Sequence, residues 1–558
     1  MNKKWYGVLA GTLSLSLFLT ACGGAKTPST APAAPTAGQP VDGGTLTWGD
    51  FSDIVTVNPI FIDDVGSQNV ANFLFASLYD VDAKGSLAAD DWALAAELPQ
   101  ISNGGKTYTI KLKSTPKWSD GQPVTADDLV FSLNMARNKD TGSTMVANYD
   151  KVSDVKKIDD HTVQIDLSTV YAPFALNALG IQVIPQHVLK DVAAKDLQKN
   201  AFGKDPKATV TDGPYTWKEW AQKQYHTLAL NTSYWGPKPH IQTVVYKIYA
   251  DQTTLVQALI KGEVDMVSTI PVGLLSAVQG KQGVSLNEQA GPTYDYIGYN
   301  FNDANFPDGG SPFKGAATRQ AITYAINRQG IVDSVLKGHG KLLNGPFLPG
   351  SWADAGTAAN VPFDAAKAKA LLAQDGWTPG PDGILQKNGH KFSFDLNFNS
   401  GNARREGIAA IVQQNLKDVG IQVNLKPMDF SALVANVVDP GKFQALLLGW
   451  QMSIDPDQES IFSSKYFPPA GQNSGYYKNT KADDLWVQGY STTDQAARKD
   501  IYGKIATEFN NDPPYVFLDQ QNVIEATSAR IHWSDADKPV LNIPYGYAFH
   551  IQNWWVTK

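Results

Sequence analysis

Apolar and polar side chains alternate strictly in two stretches: Tyr108, Ile110 and Leu112 against Thr109, Lys111 and Lys113, and Val163, Ile165 and Leu167 against polar neighbours. A period of two predicts half-buried strands at both places. Elsewhere the period lengthens to that of a helix. Thr125 and Asp128 read as a capping box opening a helix through Leu129, Leu133 and Met135, with Pro123 just outside it. Asp364 stands as the cap of AAKAKALLAQD, which Gly376 closes. From Ala403 to Val419, Ile408, Ile411, Val412 and Leu416 share one helical face; the chain then stops at Gly420 and alternates through Ile421, Val423 and Leu425. Helix-to-strand units of this kind predict an α/β chain whose sheets are flanked by helices and whose ligand sites lie in clefts between domains. No internal repeat is detectable.

The N-terminus follows a different rule. Lys3 and Lys4 precede an uncharged run, Val8 to Leu19, of roughly 12 residues, too short for a bilayer core that needs about 20. It reads as the apolar core of a secretory signal. The segment Leu19-Thr20-Ala21-Cys22-Gly23 resembles the bacterial lipoprotein signal, which implies cleavage after residue 21 and a lipid on Cys22. Cys22 is the one cysteine of the 558 residues, so no internal disulfide can form. Residues 24–41 hold four prolines among small and polar residues and no aromatic side chain. They read as a tether, with globular structure expected from Gly43.

Composition narrows the function by exclusion. The chain is 43% hydrophobic and 11% aromatic, enough for large cores, and its formal net charge is −7. That balance argues against nucleic acid, which needs clustered Lys and Arg. No HExxH, GxSxG or GxxxxGK[ST] occurs, and the eight histidines are scattered without metal-ligand spacing, so no cofactor, metal site or catalytic centre is expected. The pairs Asp63-Asp64, Asp90-Asp91, Asp127-Asp128 and Asp483-Asp484 point to different faces of any element and read as caps and solvated loops. NDANFPDGG (302–310) lacks the spaced ligands of a calcium loop and reads as a turn.

Several long blocks in order carry a more specific signal. They are GGKTYTIKLKSTPKWSDGQPVTADDLVFSL (104–133), GPYTWKEW (213–220), YWGPKPHIQTVVYKIYADQTTLVQALIKGEVDMV (234–267), PFKGAATRQAITYAINRQGIV (312–332) and LGWQMSIDPDQESIFSS (448–464). The chain resembles the family 5 extracellular solute-binding proteins, the oligopeptide- and dipeptide-binding components of ABC importers, from Gly43 onward. The resemblance implies a two-lobed, periplasmic-binding-protein-like α/β fold of class II, cluster C type, with an extra inserted subdomain. After signal residues 1–21 and tether 22–42, lobe I comprises 43–72, 190–298 and 523–558, the inserted subdomain 73–189, and lobe II 299–522. It further implies that ligand lies between the lobes, bordered by Asp63, Asp64 and Val65 in the first and by Trp450, Gln451 and Ser453 in the second. Tyr299 and Asn300 fall at the lobe crossing and Phe517 where the chain returns. Trp118 and Trp235 read as core.

One position departs from the family pattern. Oligopeptide and dipeptide binders commonly carry an aspartate three residues after the tryptophan matching Trp450, pairing with the ligand's α-ammonium; here it is Ser453. Either another carboxylate takes over, with Asp455 and Asp457 following in Ile454-Asp455-Pro456-Asp457, or the terminus stays in water; Asp455-Pro456 reads equally as a turn with a structural carboxylate. The expectation is a monomeric, non-enzymatic, lipid-anchored binder on the outer face of the cytoplasmic membrane of a single-membrane bacterium, passing oligopeptides to ABC permease subunits. An oligosaccharide or metal chelate on the same fold is the alternative; the fourteen tryptophans would serve sugar stacking, but most are dispersed. An extracellular hydrolase is the third reading, disfavoured by the missing catalytic motifs.

Overall fold

The computed structural model describes residues 39–51, 53–82, 85–306, 310–534 and 553–557. Cys22, the signal core and most of the tether lie outside them. Helices form where their caps stand, including those expected from sequence at Thr125, Asp364 and Ala403. Val65–Leu74 (α1) starts at Asp64, whose carboxylate accepts from Ser67 N at 2.7 Å. Ala126–Ala136 (α2) carries the capping box, with Thr125 N donating to Asp128 Oδ2 at 2.9 Å. Ala365–Gln374 (α3) is capped by Asp364, and Ala403–Asp418 (α4) by Asn402. Gly420, at φ +87°, turns α4 into the following strand in a conformation that only glycine adopts cheaply. Thr480–Ser491 (α5) and Gln495–Asn511 (α6) pack as an antiparallel pair later in the chain.

Among the described residues, eleven strands share one mixed sheet. They are Thr45–Asp50 (β1), Tyr215–Ala221 (β2), Tyr225–Leu230 (β3), Thr243–Ile248 (β4), Met266–Val267 (β5), Val284–Tyr299 (β6), Gly340–Leu342 (β7), Ser393–Asn399 (β8), Gln422–Met428 (β9), Ala445–Gln451 (β10) and Tyr515–Ser528 (β11). Their order is β9-β8-β10-β6-β11-β5-β1-β4-β3-β2, with β7 paired to β11. Residues 45–267 supply one end of this sheet and residues 393–451 the other. Only β6 and β11, of 16 and 14 residues, reach both.

The pairing of these two strands breaks in the middle. Val284–Ala290 pair with Asn522–Ser528, and Tyr294–Gly298 with Tyr515–Gln520, with a register shift between. The intervening Gly291-Pro292-Thr293 makes the bulge: Pro292 has no N–H for the ladder, and a β-carbon on Gly291 would meet Gln521 O and Val523 Cγ2, each at 2.8 Å. β10 pairs with β6 only from Thr293 onward, and β5 meets β11 only at Ala526 and Thr527. The bulge therefore stands where the two ends of the sheet join.

A smaller four-stranded sheet, Gln100–Ser102, Thr107–Lys111, Thr162–Leu167 and Val152–Asp159 in spatial order, is inserted after α1. It contains both strands read from the alternating pattern. Its buried Tyr108, Ile110, Val163 and Ile165 belong to the same apolar cluster as Leu46, Trp48 and Tyr246 of the large sheet, so the insert and that end of the sheet share one core. Trp118 is fully buried in that cluster and Trp235 packs against it. Residues from Tyr294 to Leu518 build two further cores. No helix among the described residues is long and apolar enough to cross a membrane.

Candidate functional site

β10 ends in the segment that sequence singled out. Trp450 faces Tyr294 across the ladder, and its half-buried ring stacks on Tyr296 at 6.2 Å and 4°. Tyr296 in turn stacks on Tyr515 at 4.1 Å. This row of rings gives a rigid, mostly apolar wall whose outer member remains partly open to solvent. Gln451 and Ser453 are exposed, whereas Met452 and Ile454 turn inward. Met452 N donates to Pro292 O at 2.9 Å, so the bulge between the sheet ends also fixes the chain just after the tryptophan.

Asp455 is a structural carboxylate here. It is fully buried, and both oxygens accept from Arg498, at 2.6 Å from Nη1 and 2.8 Å from Nη2. Arg498 also donates to Gly489 O and Tyr502 Oη and lies 5.0 Å from the Trp352 ring. Of the two sequence readings of Asp455, the geometry therefore matches the turn, since a bidentate pair leaves no charge for an ammonium. Asp457, two residues on, differs. Burial first, then the neighbouring Asp455 and Glu459 carboxylates, push its carboxyl up to about 7.

The inserted subdomain lies against this segment. Ala172 N donates to Tyr490 O at 2.7 Å, and the rings of Tyr171 and Tyr490 meet edge to face at 6.0 Å. A β-carbon on Gly85 would sit 3.7 Å from Ile454, and one on Gly105 3.1 Å from Thr493. Burial raises Glu459, and Lys465, the Tyr466 hydroxyl and then Lys151 of the insert partly offset it. Tyr171 is raised by burial and then by Asp457. The insert thus touches the chain after Trp450 at Ile454 and the helix pair that follows at Tyr490 and Thr493.

Other residues expected at the site are placed differently. Asp63 is exposed, Asp64 caps α1, and Val65 is 48% exposed at the first turn; no described contact joins them to Trp450. Tyr299 is core, its ring 4.8 Å from Phe313. Asn300 is buried, donating through Nδ2 to Gly441 O at 3.0 Å and accepting from Asn302 N at 2.9 Å. Phe517 is 4% exposed, packed on Tyr294 and opposite Tyr296, so it backs the aromatic wall without forming its surface. Tyr299 and Phe517 are buried because they sit on β6 and β11 where these central strands are covered on both faces, and Asn300 because it directly follows β6 and is tied to Gly441.

Sequence reasoning passed over Arg404. It opens α4, and its guanidinium reaches Asp295 of β6, with Nε at 2.9 Å from Oδ2, and Gln521 of β11. Its side chain stays 26% exposed, while the neighbouring Arg405 is more deeply held between Asp295 and Asn399. Opposite Asp295 on β11 stands Asp519, fully buried, whose carboxyl burial and Asp295 hold well above its ordinary range. Two arginines at one helix start were the available signal, but only the fold brings them to the two long strands.

The sequence model of the bacterial extracellular solute-binding proteins, family 5, matches residues 85–473. The oligopeptide-binding protein AppA of Bacillus subtilis is 33% identical over 99% of this chain and 98% of its own length. The structure of AppA from Bacillus subtilis in complex with a nonapeptide superposes with a TM-score of 0.76 at 31% identity, covering 93% of this chain and 100% of that one. NikZ from Campylobacter jejuni, solved with Ni(L-His), gives 0.74 at 25% identity over 92% of this chain and 99% of that one.

Proposed function

Because the chain belongs to the bacterial extracellular solute-binding proteins of family 5, we propose that it captures oligopeptides between two lobes and hands them to the permease of an ABC importer. The observation that carries the reading is correspondence along nearly the whole chain with an oligopeptide-binding relative, one whose structure holds a nonapeptide. The local geometry supports it. The Trp450–Tyr296–Tyr515 stack offers a flat apolar face, and exposed Gln451 and Ser453 offer polar groups beside it. An extended peptide held by its main chain suits such a wall, since backbone recognition is indifferent to side-chain identity.

In this reading the lobes are the parts on either side of the Gly291-Pro292-Thr293 bulge, and closure bends β6 and β11 there. The Ala172–Tyr490 hydrogen bond and the Tyr171–Tyr490 contact are then contacts of the closed form. Ser453 cannot neutralise an α-ammonium and Asp455 is committed to Arg498, so a peptide N-terminus is left to water or to Asp457.

Capture from solution requires the closed form to bind ligand more tightly than the open one, so a good peptide should stabilise folding. At a hundredfold excess over Kd the gain is about 2.7 kcal/mol. Thermal shift with four- to ten-residue peptides should show it. No shift with peptides, but one with an oligosaccharide or a nickel–histidine chelate, would replace this reading with another cargo. The lipid on Cys22 would tether the binder next to its permease, two acyl chains giving the stable anchor that one cannot. Cys22→Ser should release the protein from the membrane fraction, and retention there as a mature, detergent-extracted form would rule the anchor out.

A further inference from the structure

The inserted subdomain meets the far end of the molecule at Tyr490 of α5, whose carbonyl oxygen accepts from Ala172 N at 2.7 Å and whose ring meets that of Tyr171. Beside this contact the chain after Trp450 carries three carboxylates at alternate positions, Asp455, Asp457 and Glu459. The charges of all three reach the Tyr171 hydroxyl of the insert, and those of Asp457 and Glu459 reach Tyr490. The insert therefore closes over a turn crowded with acids.

The three acids differ in what balances them. Asp455 is fully buried with both oxygens on Arg498 of α6, which also donates to Tyr502. Glu459 accepts from Tyr466 Oη at 3.4 Å, and Lys465 beside it and Lys151 of the insert oppose its burial, while Asp483 of α5 adds to it. Lys151 is itself paired with Asp150 at 2.5 Å. Asp457 accepts from Glu459 N at 3.2 Å, and Arg498, whose charge also reaches it, is already gripped by Asp455. Asp457 is half-buried, so its proton can exchange with solvent while the chain stays folded. An ionised Asp457 under the insert would put another negative charge beside Asp455 and Glu459 where water is largely excluded.

We propose that this contact is a proton-operated latch: protonated Asp457 lets the insert lie against Tyr490 and the acidic turn, and ionised Asp457 drives the two apart. The inference rests on the reading of these contacts as those of the closed form. It assigns Asp457 to closure and leaves a peptide's α-ammonium to water. The direction follows from linkage. With the insert in place, burial and the neighbouring carboxylates hold Asp457 up to about 7; with the insert withdrawn, water returns and the group moves back toward its ordinary 3.8. The closed form then binds the proton more tightly, so acid favours the contact. The closed-to-open ratio falls as pH rises to about 7, by at most about tenfold per pH unit for one proton, and levels off above.

Hydrogen exchange at the Ala172 amide reads the latch without any cargo, once its rate is divided by that of an unstructured amide at the same pH. In the unaltered protein this protection should fall about threefold or more between pH 5.5 and pH 7.5. Asp457→Asn, whose Oδ1 can still accept from Glu459 N, should keep the protection of the acid form at both pH values. Glu459→Gln should leave the fall in place. Protection that is absent or constant across this range, a fall that survives Asp457→Asn, or one that only Glu459→Gln removes overturns the latch. A second reading uses an N-acetylated peptide without ionisable side chains, whose C-terminal carboxylate is ionised at both pH values. It should bind more tightly at pH 5.5 than at pH 7.5, and equal or tighter binding at pH 7.5 overturns the latch. Failure of every peptide to bind overturns the peptide reading, while exchange at Ala172 still decides the latch.

Discussion

At the scale of single residues, three neighbours of Trp450 separate what a carboxylate or hydroxyl can do by its surroundings. Ser453 is exposed and uncharged, Asp455 is locked to Arg498, and Asp457 alone is held near neutrality. The last has a consequence for stability. In the folded protein Asp457 keeps its proton up to about pH 7, against an ordinary value of 3.8. Between those limits the folded state binds more protons than the unfolded one, so stability falls as pH rises through the window and levels off above it. Asp457→Asn should lose this part of the slope and gain stability relative to the unaltered protein at pH 8 but not at pH 4. Denaturant unfolding at the two pH values measures it, and identical slopes would mean that Asp457 is not held in a raised state. Sequence could show that Ser453 replaces an acid, because that needs only a position three residues after Trp450. It could not decide Asp455, whose partner lies 43 residues further on, nor see that Tyr299, Asn300 and Phe517 fall inside cores.

At the scale of elements, local chemistry was the most legible. The Thr125–Asp128 box, the Asp364 cap and the Gly420 stop each bound a helix where they stand, because a cap acts through residues within one turn of it. The turn read at 302–310 begins as a short 3₁₀ turn capped by Asn302. The break in β6 was not legible, because only the pairing with β11 shows a bulge within a continuous ladder. That bulge leaves no room for a side chain. Gly291→Val would drive its branched carbons into Gln521 O and Val523 Cγ2 and should cost about 1–3 kcal/mol, the usual range for overpacking. Urea unfolding reads the loss. A variant as stable as the parent would show that the strands separate easily at this point.

At the scale of the whole molecule, the α/β class and the family were legible because long blocks from 104 to 464 keep their order. Core sharing was not: the insert and the sheet end of residues 45–267 pack as one cluster, a fact of side-chain burial that boundaries along the chain cannot express. The insert built on that shared core meets the other end of the molecule directly, with Ala172 and Tyr171 against Tyr490. The cargo proposed between the lobes is a peptide. The most direct measurement is mass spectrometry of the small molecules released when the natively purified protein is denatured. Peptides in near-stoichiometric amount are the predicted result, and an oligosaccharide or a metal chelate in their place would contradict it.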